Sequence, residues 1–187
     1  GTPSGKIELY SPTIAKFGYK DFAPHVAWIE PFEWLGSEKA KKYPFSITTP
    51  HSRYRLHSQL NNSIIRNYAE VSAREPMLIN TKKKGIATGD VVRVFNDRGE
   101  ILVGALVTDI IPERIIAICE GAWYDPEVLG ERSLCKHGCI NVLTRDKGTS
   151  SIAQSNCGHT ILADLEKYKG EIKPITAFSK PKILQSL

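Results

Sequence analysis

No stretch of this 187-residue chain approaches the ~20 consecutive apolar residues that a membrane-spanning helix needs, and its start has no signal-peptide pattern. The common catalytic and phosphate signatures are missing as well. There is no Walker A loop, no Gly-x-Gly-x-x-Gly turn and no Gly-x-Ser-x-Gly elbow. P-loop, dinucleotide-fold and serine-hydrolase chemistry therefore lack their carriers. Four cysteines are too few for the disulfide framework of a small secreted fold. The basic clusters Lys39-Ala40-Lys41-Lys42 and Lys82-Lys83-Lys84 are short and carry no interleaved aromatics, which argues against nucleic acid as a partner despite a net charge of +5. Repeats and low-complexity segments are absent. The chain opens Gly1-Thr2-Pro3-Ser4-Gly5 without an initiator methionine, as expected of a piece or a processed product, so a missing signal leaves the compartment open.

What is present reads as a soluble, mainly β protein. Hydrophobic residues at 41% and charged residues at 24% suffice for one sizeable core. Lys6 to Tyr10 is expected as a short strand. From Ser11 to Ser37 the prolines Pro12, Pro24 and Pro31 break any regular period, yet Phe17, Tyr19, Phe22, Trp28, Phe32 and Trp34 need cover; residues 1–43 are read as an extended N-terminal arm and 44–187 as the domain. Glu38 to Lys42 is expected as a short polar helix and Phe45 to Thr48 as a strand. Asn62 to Tyr68 is ambiguous, and Met77-Leu78-Ile79 is simply apolar. Asn80-Thr81 is expected to cap a brief turn through Lys84. Val91 to Phe95 and Glu100 to Thr108 read as a hairpin around Asn96-Asp97-Arg98-Gly99, with Gly99 supplying a positive φ. Arg114 to Cys119 and Asn141 to Leu143 read as further strands; Thr160 to Lys167 alternates imperfectly, which fits strand or helix and favours strand, and Pro174 and Pro181 punctuate an open tail. Short strands with many Gly/Pro turns point to a barrel or sandwich with helical insertions.

Two polar stretches carry the chemistry. Thr48-Thr49-Pro50-His51-Ser52-Arg53-Tyr54-Arg55-Leu56-His57-Ser58-Gln59-Leu60-Asn61-Asn62 is rich in donors and poor in hydrophobes, which suits a loop laid against an anionic ligand. Gly148 to Thr160 has the same character, and such loops can cradle pyrophosphate through backbone N–H groups; a solvated surface loop is the plain alternative. Two such loops in one small β domain favour a shared ligand. His51 and His57 are residues of the type used in general acid–base catalysis, but no carboxylate partner lies near them in sequence, and a histidine hydrogen-bonded in a turn is the plain alternative for each. Cys135-x-His137-x-Cys139 and Cys157-x-His159 offer five zinc-ligand types, but at tighter spacing than structural zinc sites use.

Thr48 to Gln59, Gly85-Ile86-Ala87-Thr88-Gly89-Asp90-Val91-Val92-Arg93-Val94, Glu120-Gly121-Ala122-Trp123-Tyr124-Asp125-Pro126, Asn141-Val142-Leu143-Thr144 and Asn156-Cys157-Gly158-His159-Thr160 occur in this order in one family. Together they resemble the C-terminal domain of the dimethyl sulfoxide reductase family of molybdenum enzymes, most closely its trimethylamine-N-oxide and biotin sulfoxide reductase branch. The resemblance implies a six-stranded double-psi β-barrel whose loops close over bis(molybdopterin guanine dinucleotide) molybdenum. It implies that Thr49, His51, Ser52 and His57 contact the pterin and its phosphates, with Asn141, Asn156, Gly158 and His159 completing the pocket. It also implies oxygen-atom transfer from S- or N-oxides by the whole enzyme, a serine metal ligand on an earlier domain, and hence no catalytic residue and no metal ligand here. The implied partners are the remaining domains of the same reductase and a cytochrome electron donor, in the periplasm or, alternatively, the cytoplasm. Two other readings stand beside this one: a free-standing double-psi barrel acting as an interaction module without molybdenum, and a zinc-stabilised nucleic-acid binder.

Overall fold

The computed structural model describes residues 1–80, 84–130 and 133–180. They form two compact units: Gly1–Phe32 with Arg145–Cys157, and Glu33–Thr144 with the described residues of Gly158–Leu187.

In the larger unit the strands β1 (Phe45–Thr48), β2 (Pro76–Ile79), β3 (Val91–Phe95), β4 (Glu100–Val107), β5 (Ile115–Ile118) and β6 (Ile161–Lys167) close into a barrel in the order β1-β5-β2-β4-β3-β6. β1 with β5 and β2 with β4 are parallel, and the other neighbours are antiparallel. This is the six-stranded barrel expected of the chain. Its core holds Ile47, Met77, Ile79, Val92, Val94, Ile101, Val103, Ile116, Ile118, Ile161 and Leu165, together with Cys135 and Leu143 from outside the strands. A fully buried aliphatic side chain of this kind contributes about 1.5–3 kcal/mol. β-Branched residues dominate because they suit a pleated surface packed on both sides.

The edge of the barrel is pinned by Glu33. Its carboxylate receives two hydrogen bonds from the Arg98 guanidinium (2.6 and 3.0 Å), one from Lys39 Nζ (2.6 Å) and one from the Leu162 N–H (2.8 Å). Burial raises its pKa, but the Arg98, Lys39 and Leu162 donors overwhelm that and pull it down to about 2.

Several expectations are corrected. Asn141 to Leu143 is no strand: a 3-10 turn, Ile140–Val142, occupies that place, its Ile140 buried in the core. Lys6 to Tyr10 forms only an isolated bridge, Tyr10 to His25. The proline-broken stretch contains a helix, α1 (Pro12–Phe17), because Pro12 sits at its first turn, Ser11 Oγ accepts from the Ile14 N–H, and Gly18 closes it at φ +67°. Apolar Pro76–Ile79, left unassigned by its composition, is β2. The hairpin between β3 and β4 is present, but Gly99 is needed for space rather than for a positive φ: a Cβ there would lie 2.6 Å from Val142 Cγ1. Glu38–Lys41 and Ile64–Tyr68 are 3-10 turns. The turn expected at Asn80 to Lys84 lies largely outside the described residues.

The smaller unit buries none of its residues. Asp21 accepts hydrogen bonds from the Ser151 backbone and hydroxyl (2.8 and 3.1 Å), and the Phe32 ring lies under Arg145 and Lys147 (4.6 and 4.4 Å). Ile7, Leu9, Val26 and Trp28 are exposed. Among the described residues no helix is long and apolar enough to cross a membrane.

Candidate functional site: a histidine-bearing pole of the barrel

Strand direction decides which loops meet. β1 and β5 are parallel, so both C-terminal ends emerge at one pole, and the Glu120 N–H bonds to the Pro50 carbonyl (3.1 Å) just beyond them. β6 runs antiparallel to β1, which brings its entry turn, His159 and Thr160, to the same pole. β2 runs antiparallel to β5, with Met77 opposite Ile118, so Glu75 also starts there. Residues 49–62, 120–125 and 158–160 are thus neighbours, although far apart in the chain.

The first loop hangs on a buried ion pair. Arg55 Nη1 lies 2.9 Å from Glu75 Oε2, with side chains only 4% and 2% exposed. Arg55 also donates to the carbonyls of Glu120 (2.6 Å) and His57 (3.1 Å), so one guanidinium ties β2, the β5 exit and the histidine loop together. Burial pushes the Glu75 carboxyl up, an effect that Arg55 offsets in part. His57 takes a left-handed φ of +49°, and Gly121 lies so close that a Cβ there would sit 2.0 Å from the His57 carbonyl oxygen. The Trp123 N–H donates to Asn61 Oδ1 (2.8 Å) and its indole to the Ser58 carbonyl (2.9 Å).

On this frame His51 and His57 stand 5.2 Å apart, ring edge to face, and share Glu120. Their Nδ1 atoms lie 2.8 and 2.9 Å from its two carboxylate oxygens, while their side chains are 72% and 62% exposed. Burial raises the Glu120 pKa, but the hydrogen bonds from His57 and His51 outweigh it and hold the carboxyl below its ordinary range. An ionised carboxylate only accepts, so each Nδ1 carries a proton and each Nε2 is left on the exposed side of its ring. These three residues put ligand-type atoms within 4.8 Å of one another, a cluster that a divalent cation could address. The pairing of each Nδ1 with its own oxygen accounts for the geometry without one.

Of the other expected site residues, Thr49 Oγ1 lies 3.1 Å from His159 Nδ1. Ser52 Oγ accepts from the Tyr54 N–H (3.2 Å) and so caps its own turn. Asn141 is exposed in the Ile140–Val142 turn, beside which Asn96 Nδ2 donates to the Leu143 and Leu162 carbonyls (both 3.1 Å). It lines a cleft of ≈ 440 Å³ with Arg98, Tyr124, Ser133, Cys139 and Val142. Burial, then the neighbouring Cys135, pushes the Cys139 thiol up to about 11, leaving it protonated and unreactive. Gly158 opens the return into the barrel unit. Asn156 belongs to the smaller unit, where it bridges to Gly148. The sequence reading missed Glu120 and Arg55; the only signal for Glu120 was its place in the Glu120 to Pro126 motif.

The zinc arrangement does not form. Cys135 is buried in the barrel core, and His137 is taken by Glu70 (Nε2 to Oε1, 2.9 Å) and the Trp123 carbonyl (3.3 Å). Among the described residues the sole metal-type cluster is the His51, His57 and Glu120 set.

A family model described as molydopterin dinucleotide binding domain matches residues 45–162, from β1 into β6. The chain belongs to that family. It is 52% identical over 186 residues to a dimethyl sulfoxide/trimethylamine N-oxide reductase of Cereibacter sphaeroides and 46% identical over 187 residues to a trimethylamine-N-oxide reductase of Haemophilus influenzae, covering 97% of this chain in both cases. Trimethylamine-N-oxide reductase 1 of Escherichia coli K12 is 47% identical over 182 residues, 94% of the chain. The chain spans 22% of the length of each of these relatives. The fold is also that of part of the acetylene hydratase of Pelobacter acetylenicus, with a TM-score of 0.68 at 23% identity over 89% of this chain and 24% of that one. The matched stretch thus takes in the His51 to His57 loop and Glu120, which meet at one pole of the barrel, and also Asn141 in its separate cleft.

Proposed function

We propose that this chain is the cofactor-closing domain of a molybdenum S- or N-oxide reductase, contributing one wall of the site for bis(molybdopterin guanine dinucleotide). The observation that carries the reading is the gathering of exposed imidazoles at one pole of a barrel of this family. The donor set fits the group: Nε2 of His51 and His57, the His159 ring, the Thr49 and Ser52 hydroxyls and the Asn141 amide match phosphate oxygens and the donor–acceptor edge of a pterin. Gly158 completes the pocket in this reading. The bound molybdenum supplies the oxygen-atom and electron transfer, while these residues bind and orient. None of them reacts, so the chain by itself is inactive.

The arm of residues 1–43 and the domain of residues 44–187 meet the remaining domains of the same reductase. The exposed apolar residues Ile7, Leu9, Val26 and Trp28 support such a neighbour, because isolated domains rarely leave so many apolar side chains uncovered. A cytochrome supplies electrons to the whole enzyme, and its compartment is the periplasm rather than the cytoplasm, which cell fractionation tests. In the complete reductase, the double substitution H51A/H57A lowers bound molybdenum and guanine nucleotide per chain. Full occupancy of both would overturn the assigned pocket.

A further inference from the structure

We infer that Glu120 is a positioning residue for the cofactor: it fixes the tautomer of both His51 and His57, so that the two rings present Nε2, and not Nδ1, to the bound group. The inference rests on the pocket reading above and adds a residue to it that makes no contact of its own with the cofactor.

Two rings share one carboxylate. Each Nδ1 meets a separate oxygen, at 2.8 and 2.9 Å, so Glu120 serves both at once. A free imidazole exchanges its proton between two nitrogens and turns freely about its side-chain bonds. Against an acceptor-only partner it can do neither, and the pole gains two rings of defined direction. The backbone is held to the same end. Arg55 grips the Glu120 and His57 carbonyls together, and Gly121 lets the His57 backbone pass over the residue next to Glu120. The carboxylate, both rings and the two chain segments thus form one preset unit. A positively polarised pair of Nε2–H groups is favoured by the carboxylate behind it whenever an anion lies in front, and unprotonated rings offer Nε2 as acceptors instead.

Glutamine at position 120 breaks this symmetry without changing the shape. Its oxygen can accept from one Nδ1–H, but its amide donates toward the other ring, which must then carry its proton on Nε2. One of the two rings is reversed in polarity and the negative charge is lost. Aspartate keeps the charge but is one methylene shorter, so it serves one ring at a time.

The test is a double-mutant cycle in the complete reductase, reading guanine nucleotide and molybdenum retained per chain and the rate of their loss on dilution. E120Q is expected to speed cofactor loss roughly tenfold, the scale of one charge-assisted hydrogen bond, with E120D intermediate. In the H51A/H57A background E120Q is expected to add nothing, because the rings it orients are gone. Retention by E120Q equal to wild type, with H51A/H57A losing cofactor, overturns this inference and leaves the pocket standing. An E120Q effect undiminished without the histidines overturns it too, since Glu120 would then act on the fold. Full retention by H51A/H57A takes down both readings. Should E120Q not fold, E120D in both backgrounds makes the same cycle.

Discussion

The domain contains two histidine–carboxylate systems of nearly identical bond length and opposite setting. His51 and His57 sit on Glu120 in the open, whereas His137 is fully buried on Glu70, with the Phe178 ring packed edge to face against it at 4.9 Å. Phe178 in turn lies against Trp123 and under the Arg66 guanidinium (4.1 Å), and Thr176 is locked to Asp125 by two hydrogen bonds of 2.8 and 2.6 Å. Every polar atom of the His137 ring is therefore spent inside the protein. At the pole each ring keeps one nitrogen in reserve. The same pair of residue types thus spends all its polar atoms inside the fold where water is excluded, and leaves a ring nitrogen on the surface where it is not. What distinguishes them is burial, not chemistry.

The widest separation between these regions should come from the buried charge that joins them. R55M leaves Glu75 ionisable and unpaired inside the domain and releases the Glu120 and His57 carbonyls. It is expected to cost about 3–5 kcal/mol in denaturant unfolding, the usual penalty for breaking a buried pair. A loss below about 1 kcal/mol would mean that Arg55 orders the loop without supporting the barrel.

A smaller effect, and one with a pH signature, belongs to Glu33. Its carboxyl titrates at about 2 in the fold against 4.5 otherwise, so its contribution is complete above pH 4.5 and fades as the pH falls toward 2. Such a shift corresponds to about 3 kcal/mol. E33Q should be destabilised at neutral pH and lose less further stability on acidification than wild type, as urea midpoints across that window would reveal. Parallel acid profiles for the two proteins would contradict the assignment.

The comparison itself is sharpened by alanine at each histidine. H137A, which leaves the buried Glu70 carboxylate only the longer Arg66 contact (3.4 Å) and opens a space beside Phe178, should lower stability by about 1–3 kcal/mol. H51A and H57A, with more than half of each side chain in solvent, should stay within about 0.5 kcal/mol of wild type. Equal losses at the three positions would erase the distinction between a histidine spent on the fold and one left on the surface.

Much of the barrel was legible in advance. Val91 to Phe95, Glu100 to Val107 and Ile115 to Ile118 are rich in apolar, β-branched residues between turn residues, and local pattern suffices for such strands, whereas Ile161 to Lys167, with one β-branched and three charged residues, only leaned toward strand. Pro76–Ile79 escaped because four residues opening on proline show no period. Asn141 to Leu143 looked like a strand because Val and Leu flank each other there, but Ile140 and Leu143 turn inward from a 3-10 turn. The helix Pro12–Phe17 was obscured by the very proline that begins it. At the site, the donor-rich character of residues 48–62 was plain, whereas the buried role of Arg55 was hidden among them, since composition cannot say which of several arginines points inward.

By itself the sequence determined that this is a mainly β domain with two polar, donor-rich stretches, and its ordered motifs determined the family. Those properties reside in short segments, where alternation, turn residues and donor content act over a few neighbours. Only the tertiary structure decided that Glu120 stands behind His51 and His57, because that meeting depends on β1 and β5 running parallel and leaving the barrel at the same pole. Sixty-nine residues separate His51 from Glu120. The direction of a strand pair, which no local preference encodes, closes that gap.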